Sequence, residues 1–312
     1  MDLSATSISK LDRVSDVVAC DAFCSADDGL YHAVLLQQDG TLLDLSYGSS
    51  GPRGSQVIGT VPGARDVTAF WSDVNDVRNV IVIGAGGDVW HFIQDGRHAW
   101  TRTLQRNVPG ALRIAGYDDH HHGIVLAGDG EITDQPFHTV THAVAASYRA
   151  DVAAMSGPGA AAAEHVPSPA ADEREDPIVV GRIASAVDIA ALWADGQNRF
   201  VIVADATGAV IEIGYGRYQP ASRRELARLP RLRCVNACYT DDPAEGRCVA
   251  ALTDTGDLFV LRYATDTPHV GEPMVSLPAS DVACYTTPEG EVRAVLVSGD
   301  QIVDVVLPRE GS

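Results

Sequence analysis

Lysine is almost missing from this chain: Lys10 stands alone against 22 arginines. Bases as a whole are outnumbered, 23 against 42 acidic residues, which leaves a formal net charge of -19 at pH 7. A surface of that sign has few cations to displace the counterions of a phosphate backbone, so nucleic acid is excluded as a general partner. The same balance argues against adhesion to an anionic membrane. No apolar run reaches the roughly 18 residues a membrane-spanning helix needs. The opening residues, MDLSATSISKLDRVSD, contain no apolar stretch of the kind found in a signal peptide. A cytoplasmic, monomeric protein is the resulting expectation.

Chemical signatures are scarce as well. None of the six cysteines, Cys20, Cys24, Cys234, Cys238, Cys248 and Cys284, forms a CxxC pair, so a zinc knuckle or thioredoxin-type site has no support. In a reducing compartment they are expected as thiols. There is no GxSxG elbow, no HExxH, no P-loop, and no GxGxxG between a strand and a helix. Gly84-Ala85-Gly86-Gly87 reads as a hairpin turn. Aromatic residues make up only 6% of the chain, which limits surfaces built by stacking.

What is present is a repeat. A short apolar strand recurs at Asp16-Val17-Val18-Ala19, Asp66-Val67-Thr68-Ala69, Arg113-Ile114-Ala115-Gly116, Asp188-Ile189-Ala190-Ala191, Cys234-Val235-Asn236-Ala237 and Asp281-Val282-Ala283-Cys284. The intervals are 50, 47, 75, 46 and 47, so an insertion lies in the third unit. The fourth residue is always small, as crowding of six strands about an axis requires. An apolar run such as Asn79-Val80-Ile81-Val82-Ile83 follows in each unit and reads as a strand buried on both faces. A turn such as Asp39-Gly40, Asp129-Gly130 or Thr207-Gly208 then leads into a third strand. A more polar fourth strand ends at Val61-Pro62, Val108-Pro109, Leu229-Pro230 and Leu277-Pro278.

Four antiparallel strands at a period near 47 predict an all-β, six-bladed β-propeller. The last unit stops after its third strand, and a spare strand near Thr6 to Leu11 is expected to complete it. Residues 1–312 are therefore expected to form one propeller domain. An Ala/Pro/acidic insertion at 142–177 interrupts blade 3, with a weak amphipathic helix over 142–155. It is either a lid over one face or a tolerated surface loop.

The first strands are expected to bring Asp16, Asp66, Arg113, Asp188 and Asp281 to one end of a central channel. Converging carboxylates suit a divalent metal such as calcium, or a cationic or polyhydroxylated ligand. They equally suit capping of nearby backbone N–H groups. A second polar series, Asp44, His91, Asp134, Glu212 and Asp304, falls four residues past each hairpin turn and is expected to bond to neighbouring segments. Trp71, Trp193 and Tyr239 recur near the end of strand one, either exposed for a sugar ring or buried between blades. Asp118, His120 and His122 offer a metal set of low specificity in a polar turn.

The blade pattern resembles that of six-bladed β-propeller repeat proteins across nearly the whole chain. The segment Asp88-Val89-Trp90-His91-Phe92-Ile93-Gln94-Asp95-Gly96 with Trp100 resembles repeats of tachylectin-type bacterial propeller lectins, which implies glycan binding. The aspartates at the strand starts are similar to those of calcium-dependent lactonase propellers, which implies a metal at the channel mouth. Three functions follow. The first is a binding or scaffolding propeller, without cofactor, recognising a protein or small-molecule ligand. The second is an enzyme, a metal-dependent hydrolase or an acid–base catalyst, at the channel mouth. The third is a glycan-binding lectin. A propeller's function is not fixed by its fold.

Overall fold

The computed structural model describes residues 7–72, 76–96, 99–116, 122–136, 176–194, 198–216, 219–240, 246–264, 268 and 270–307. These form six four-stranded antiparallel sheets arranged in a ring, the six-bladed propeller that the repeat predicts. The chain starts with β1 (Ile8–Arg13). Blade 1 is β2 (Val17–Cys24), β3 (Tyr31–Gln37), β4 (Thr41–Gly48) and β5 (Gly51–Thr60). Blade 2 is β6 (Asp66–Ser72), β7 (Val77–Ile83), β8 (Asp88–Asp95) and β9 (Thr101–Asn107). Blade 3 is β10 (Ala111–Gly116), β11 (His122–Ala127), β12 (Glu131–Pro136) and β13 (Ile178–Arg182). Blade 4 is β14 (Ala186–Ala194), β15 (Asn198–Asp205), β16 (Ala209–Gly216) and β17 (Gln219–Arg228). Blade 5 is β18 (Leu232–Tyr239), β19 (Arg247–Thr253), β20 (Asp257–Tyr263) and β21 (Val275–Ser276). Blade 6 is β22 (Asp281–Thr286), β23 (Val292–Ser298) and β24 (Gln301–Leu307), and β1 supplies its outer strand.

The apolar runs of the sequence become second strands with no exposed face. Ala33 to Leu36 and Val249 to Leu252 are fully covered. The core follows from this two-sided burial. It lies as apolar layers between successive blades, and each layer draws on both neighbours. Ile81, Ile83 and Val89 of blade 2 meet Ala111, Ile114 and Val125 of blade 3. Leu11, Val14, Val295 and Ile302 of blade 6 meet Cys20, Leu35 and Tyr47 of blade 1.

The hairpin glycines are required by space as well as by backbone angle. Gly40, Gly87, Gly130, Gly208 and Gly256 have φ between +80° and +92°. A Cβ on any of them would strike the carbonyl that ends the fourth strand, at Val61, Val108, Ile183, Leu229 or Leu277. Those five residues return an N–H to the glycine carbonyl at 2.8–2.9 Å. The turn and the end of the outer strand are thereby locked together in five blades.

The structure corrects the start of the first repeat. Ala19 pairs with Leu36 as Asp66 pairs with Ile83 and Asp188 with Ala204, each partner four residues before the turn glycine, so Ala19 and not Asp16 stands where Asp66 and Asp188 stand. Counted from Ala19, the first two intervals are both 47. The small residue of this strand is then Ala22, the partner of Ala69, Gly116, Ala191, Ala237 and Cys284. The crowding is real, since a Cβ on Gly116 would approach the Phe70 ring to 2.6 Å. The insertion expected at 142–177 connects β12 to its direct neighbour β13. The helix expected over 142–155 lies outside the described residues.

Candidate functional site

Each inner strand is the edge of its sheet and faces the propeller axis with backbone N–H groups that have no partner within the blade. Side chains from the preceding blade reach many of them. Asp66 accepts the N–H of Ile114 at 2.7 Å, Asp188 that of Val235 at 2.9 Å, and Asp281 that of Cys20 at 2.7 Å. Two positions further along, Asp21 accepts the N–H of Ala69, Thr68 that of Gly116, and Asn236 that of Cys284. Between blades 3 and 4 the direction reverses, and Arg113 donates to the carbonyl of Val187 at 3.4 Å. All six blade junctions thus carry a side-chain-to-backbone link at the axis.

Four of the predicted channel residues meet there. Arg113 lies 3.3 Å from Asp188 and 3.8 Å from Asp66, and Asp281 adds a third carboxylate to its surroundings. Burial pushes the Asp188 carboxyl up to about 7, although Arg113 pulls it down. Asp66 and Asp281 are raised from the usual carboxylate range by burial too. One guanidinium does not neutralise three desolvated acids, so the ring retains a proton near neutral pH. Asp16 is not part of it. Asp16 has φ +59° in the turn before β2, in the place of Gly63 and Gly110, and its carbonyl accepts the N–H of Gln38. The cavity on the axis measures about 590 Å³ and extends from Asp66, Asp188 and Asp281 to Trp71, Tyr239 and Thr286 at the far mouth.

The other sequence candidates are mostly held by packing or pairing. Trp71 is 6% exposed and sits in the apolar layer between blades 1 and 2. Tyr239 is half-buried and packs against the layer between blades 4 and 5. Trp193 belongs to β14, and its side chain lies outside the described residues. His122 opens β11 and pairs with Asp134 at 2.8 Å. Asp118 and His120 lie outside the described residues. Among the described residues no three His, Cys, Asp or Glu side chains group as metal ligands would. The second polar series forms bonds as expected: Asp44 with His32 at 2.8 Å, His91 with Asn79 at 3.0 Å, and Glu212 with Arg224 at 2.7 Å, Arg247 at 2.6 Å and Tyr263 at 2.9 Å.

A site the sequence did not suggest lies between blades 6 and 1. A cleft of about 670 Å³ is lined by Tyr31 and Ser49 from blade 1 and by Thr287, Glu289, Glu291 and Arg293 from blade 6. The turn before β23 sets the carboxylates, with the N–H of Thr287 on the Glu291 carbonyl at 2.8 Å and Gly290 at φ +76°. Arg293 is fixed by Asp304 at 3.0 Å and Glu291 at 2.6 Å, and its guanidinium lies 5.6 Å from the centre of the Tyr31 ring. Tyr47 and Tyr285 hold that ring at centroid distances of 5.6 and 5.5 Å. Tyr31 is only 8% exposed, yet its hydroxyl has no hydrogen-bond partner among the described residues. Burial and the nearby Glu289 carboxylate raise its pKa, so it keeps its proton. The repeat does not mark this cleft until the register is known, because its lining comes from the first and last blades, far apart in sequence.

Fold and geometry together define a β-propeller with an axial cavity and an inter-blade cleft. No protein-family model matches the chain, and no curated protein matches it. Solved structures do. The SapL1 lectin in complex with alpha methyl fucoside is similar at a TM-score of 0.63 and 16% identity, over 95% of this chain and 94% of that one. AofleA from Arthrobotrys oligospora is similar at 0.64 and 10% identity, over 98% and 86%. The fucose-specific lectin from Aleuria aurantia is similar at 0.56 and 12% identity, over 96% and 100%. At such identities the likeness is one of fold.

Proposed function

We propose that the protein is a non-catalytic binding propeller of the lectin kind, and that a saccharide occupies the cleft between blades 6 and 1. The observation that carries this is Tyr31: its ring is buried and clamped by two further tyrosines and an arginine, while its hydroxyl opens on the cleft with no partner among the described residues. A hydroxyl held in place by a packed ring and left open on a cleft can bond a ligand hydroxyl without rearrangement of the protein. Ser49, Glu289 and Glu291 add hydrogen-bonding groups on the same cavity. The volume suits a small ligand. The likeness of fold to fucose-binding lectins supports the same reading.

A metal-dependent enzyme at the channel mouth has less support, since Asp66, Asp188 and Asp281 already serve backbone N–H groups and Arg113, and Asp16 stands apart from them. Recognition of a protein partner, the first expectation from the sequence, fits the size and polar lining of the cleft less well than a small molecule does. A cytoplasmic location and a monomeric state belong to the same proposal.

Ligand-observed NMR against a panel of neutral, amino and acidic saccharides tests the reading, with the parent protein and a Tyr31→Phe variant. At least one saccharide is expected to bind the parent, and the variant to bind it up to about tenfold more weakly, the loss of one hydrogen bond. Equal binding by parent and variant would move the site away from this cleft, and silence across the panel would end the saccharide reading.

A further inference from the structure

The chemistry of the cleft selects among saccharides. Among the described residues Arg293 is the one cation on its lining, and all three of its guanidinium nitrogens are engaged by Asp304 and Glu291. Glu289 is exposed on the same cavity, and one oxygen of Glu291 remains beyond its bond to Arg293. The groups left over for a ligand are therefore carboxylate oxygens and the hydroxyls of Tyr31 and Ser49. A ligand must supply donors to the carboxylates, and any negative charge on it would face two of them with no free cation among the described lining residues to answer it.

Other junctions are built differently. The position that Tyr31 occupies, opposite Tyr47, is Arg78 opposite Gln94 in blade 2, Arg199 opposite Tyr215 in blade 4 and Arg247 opposite Tyr263 in blade 5. Each of these arginines reaches back to an acid of the preceding blade: Arg78 to Asp27 and Asp28, Arg199 to Asp134, and Arg247 to Glu212. Where blade 1 meets blade 6, tyrosine replaces that arginine, which leaves the junction acidic and open. The net charge of -19 would add a long-range pull on a cation.

We infer that the cleft between blades 6 and 1 takes an amine-bearing saccharide, with its ammonium group against Glu289 and Glu291 and a ring hydroxyl against Tyr31. This rests on reading the cleft as a saccharide site, and the experiment separates the two. Binding would be measured by titration calorimetry at slightly acidic pH with four probes: a glucosamine disaccharide, its N-acetylated counterpart, a glucuronic acid disaccharide and a plain alkyl diamine. The glucosamine disaccharide is expected to bind tightest, about tenfold above its N-acetylated form, as a charge-assisted hydrogen bond would give. Glu289→Gln, a change at an exposed position that leaves the core untouched, is expected to abolish that preference, and added salt to weaken it. Tighter binding of the N-acetylated or acidic sugar would overturn the amine assignment and leave the saccharide reading standing. A diamine that binds as tightly as the amino sugar would overturn the saccharide reading and leave the amine assignment. Binding of none of the four would overturn both.

Discussion

Asp188 shows how one side chain can answer two demands. Its carboxylate closes the inner edge of blade 5 through the N–H of Val235 and stands 3.3 Å from Arg113. Burial raises its pKa to about 7, well above the ordinary carboxylate value of 3.8. A folded-state pKa above the unfolded one means that stability is full below about pH 4 and is lost as pH rises through 7. Asp188→Asn keeps an acceptor for Val235 and removes the titration. The stability difference between pH 5 and pH 8, followed by urea denaturation, is expected to shrink by about 1 kcal/mol or more, since one pK unit is worth about 1.4 kcal/mol. An unchanged difference would show that Asp188 ionises as an exposed carboxylate does. Asp66, Arg113, Asp188 and Asp281 were legible in the sequence because each stands at the same position of the repeat. Asp16 was misplaced because an Asp-Val pair also opens the units at Asp66 and Asp281, whereas Asp16 fills a left-handed turn where Gly63 and Gly110 stand, three residues before Ala19.

Among elements, the second-to-third-strand hairpin carries the strongest sequence signal, and the structure shows why. In Gly208 a left-handed φ of +92° coincides with a backbone contact to Leu229 that leaves no room for a Cβ. Gly208→Ala is expected to lower stability by about 2 kcal/mol or more, from strain and loss of the Leu229 contact together. Gly271→Ala, with nothing within 4 Å and no positive φ, is the matched control and is expected to be nearly neutral. Denaturant titration of the pair would settle it, and equal effects would remove the close-approach argument. The period was readable because every unit needs that turn. The cleft was not, because Tyr31 and Glu289 are far apart in sequence and meet only across the junction of first and last blades. A change from arginine to tyrosine at one position of one repeat looks like ordinary variation until the register is known.

The ring as a whole depends on one short strand. β1 pairs with β24 through Ile8 opposite Val305 and Arg13 opposite Gln301, and buries Leu11 in the layer between blades 6 and 1. Deleting residues 1–13 would strip the outer strand from blade 6 and leave the β24 edge bare. The truncated protein is expected to melt earlier and to associate with rising concentration, read by thermal scans and size-exclusion chromatography. A peptide of residues 7–13 is expected to restore the melting point, and a truncation that behaves as the parent does would argue that the ring does not need the strand. The pairing also decides how the molecule meets mechanical force. Ile8 and Leu307 lie at the same end of the β1–β24 pair, so a pull on the two ends of the chain would not load its hydrogen bonds side by side. It would peel them open one after another like a zipper, and the seam that completes the ring would be the first part to give way under tension.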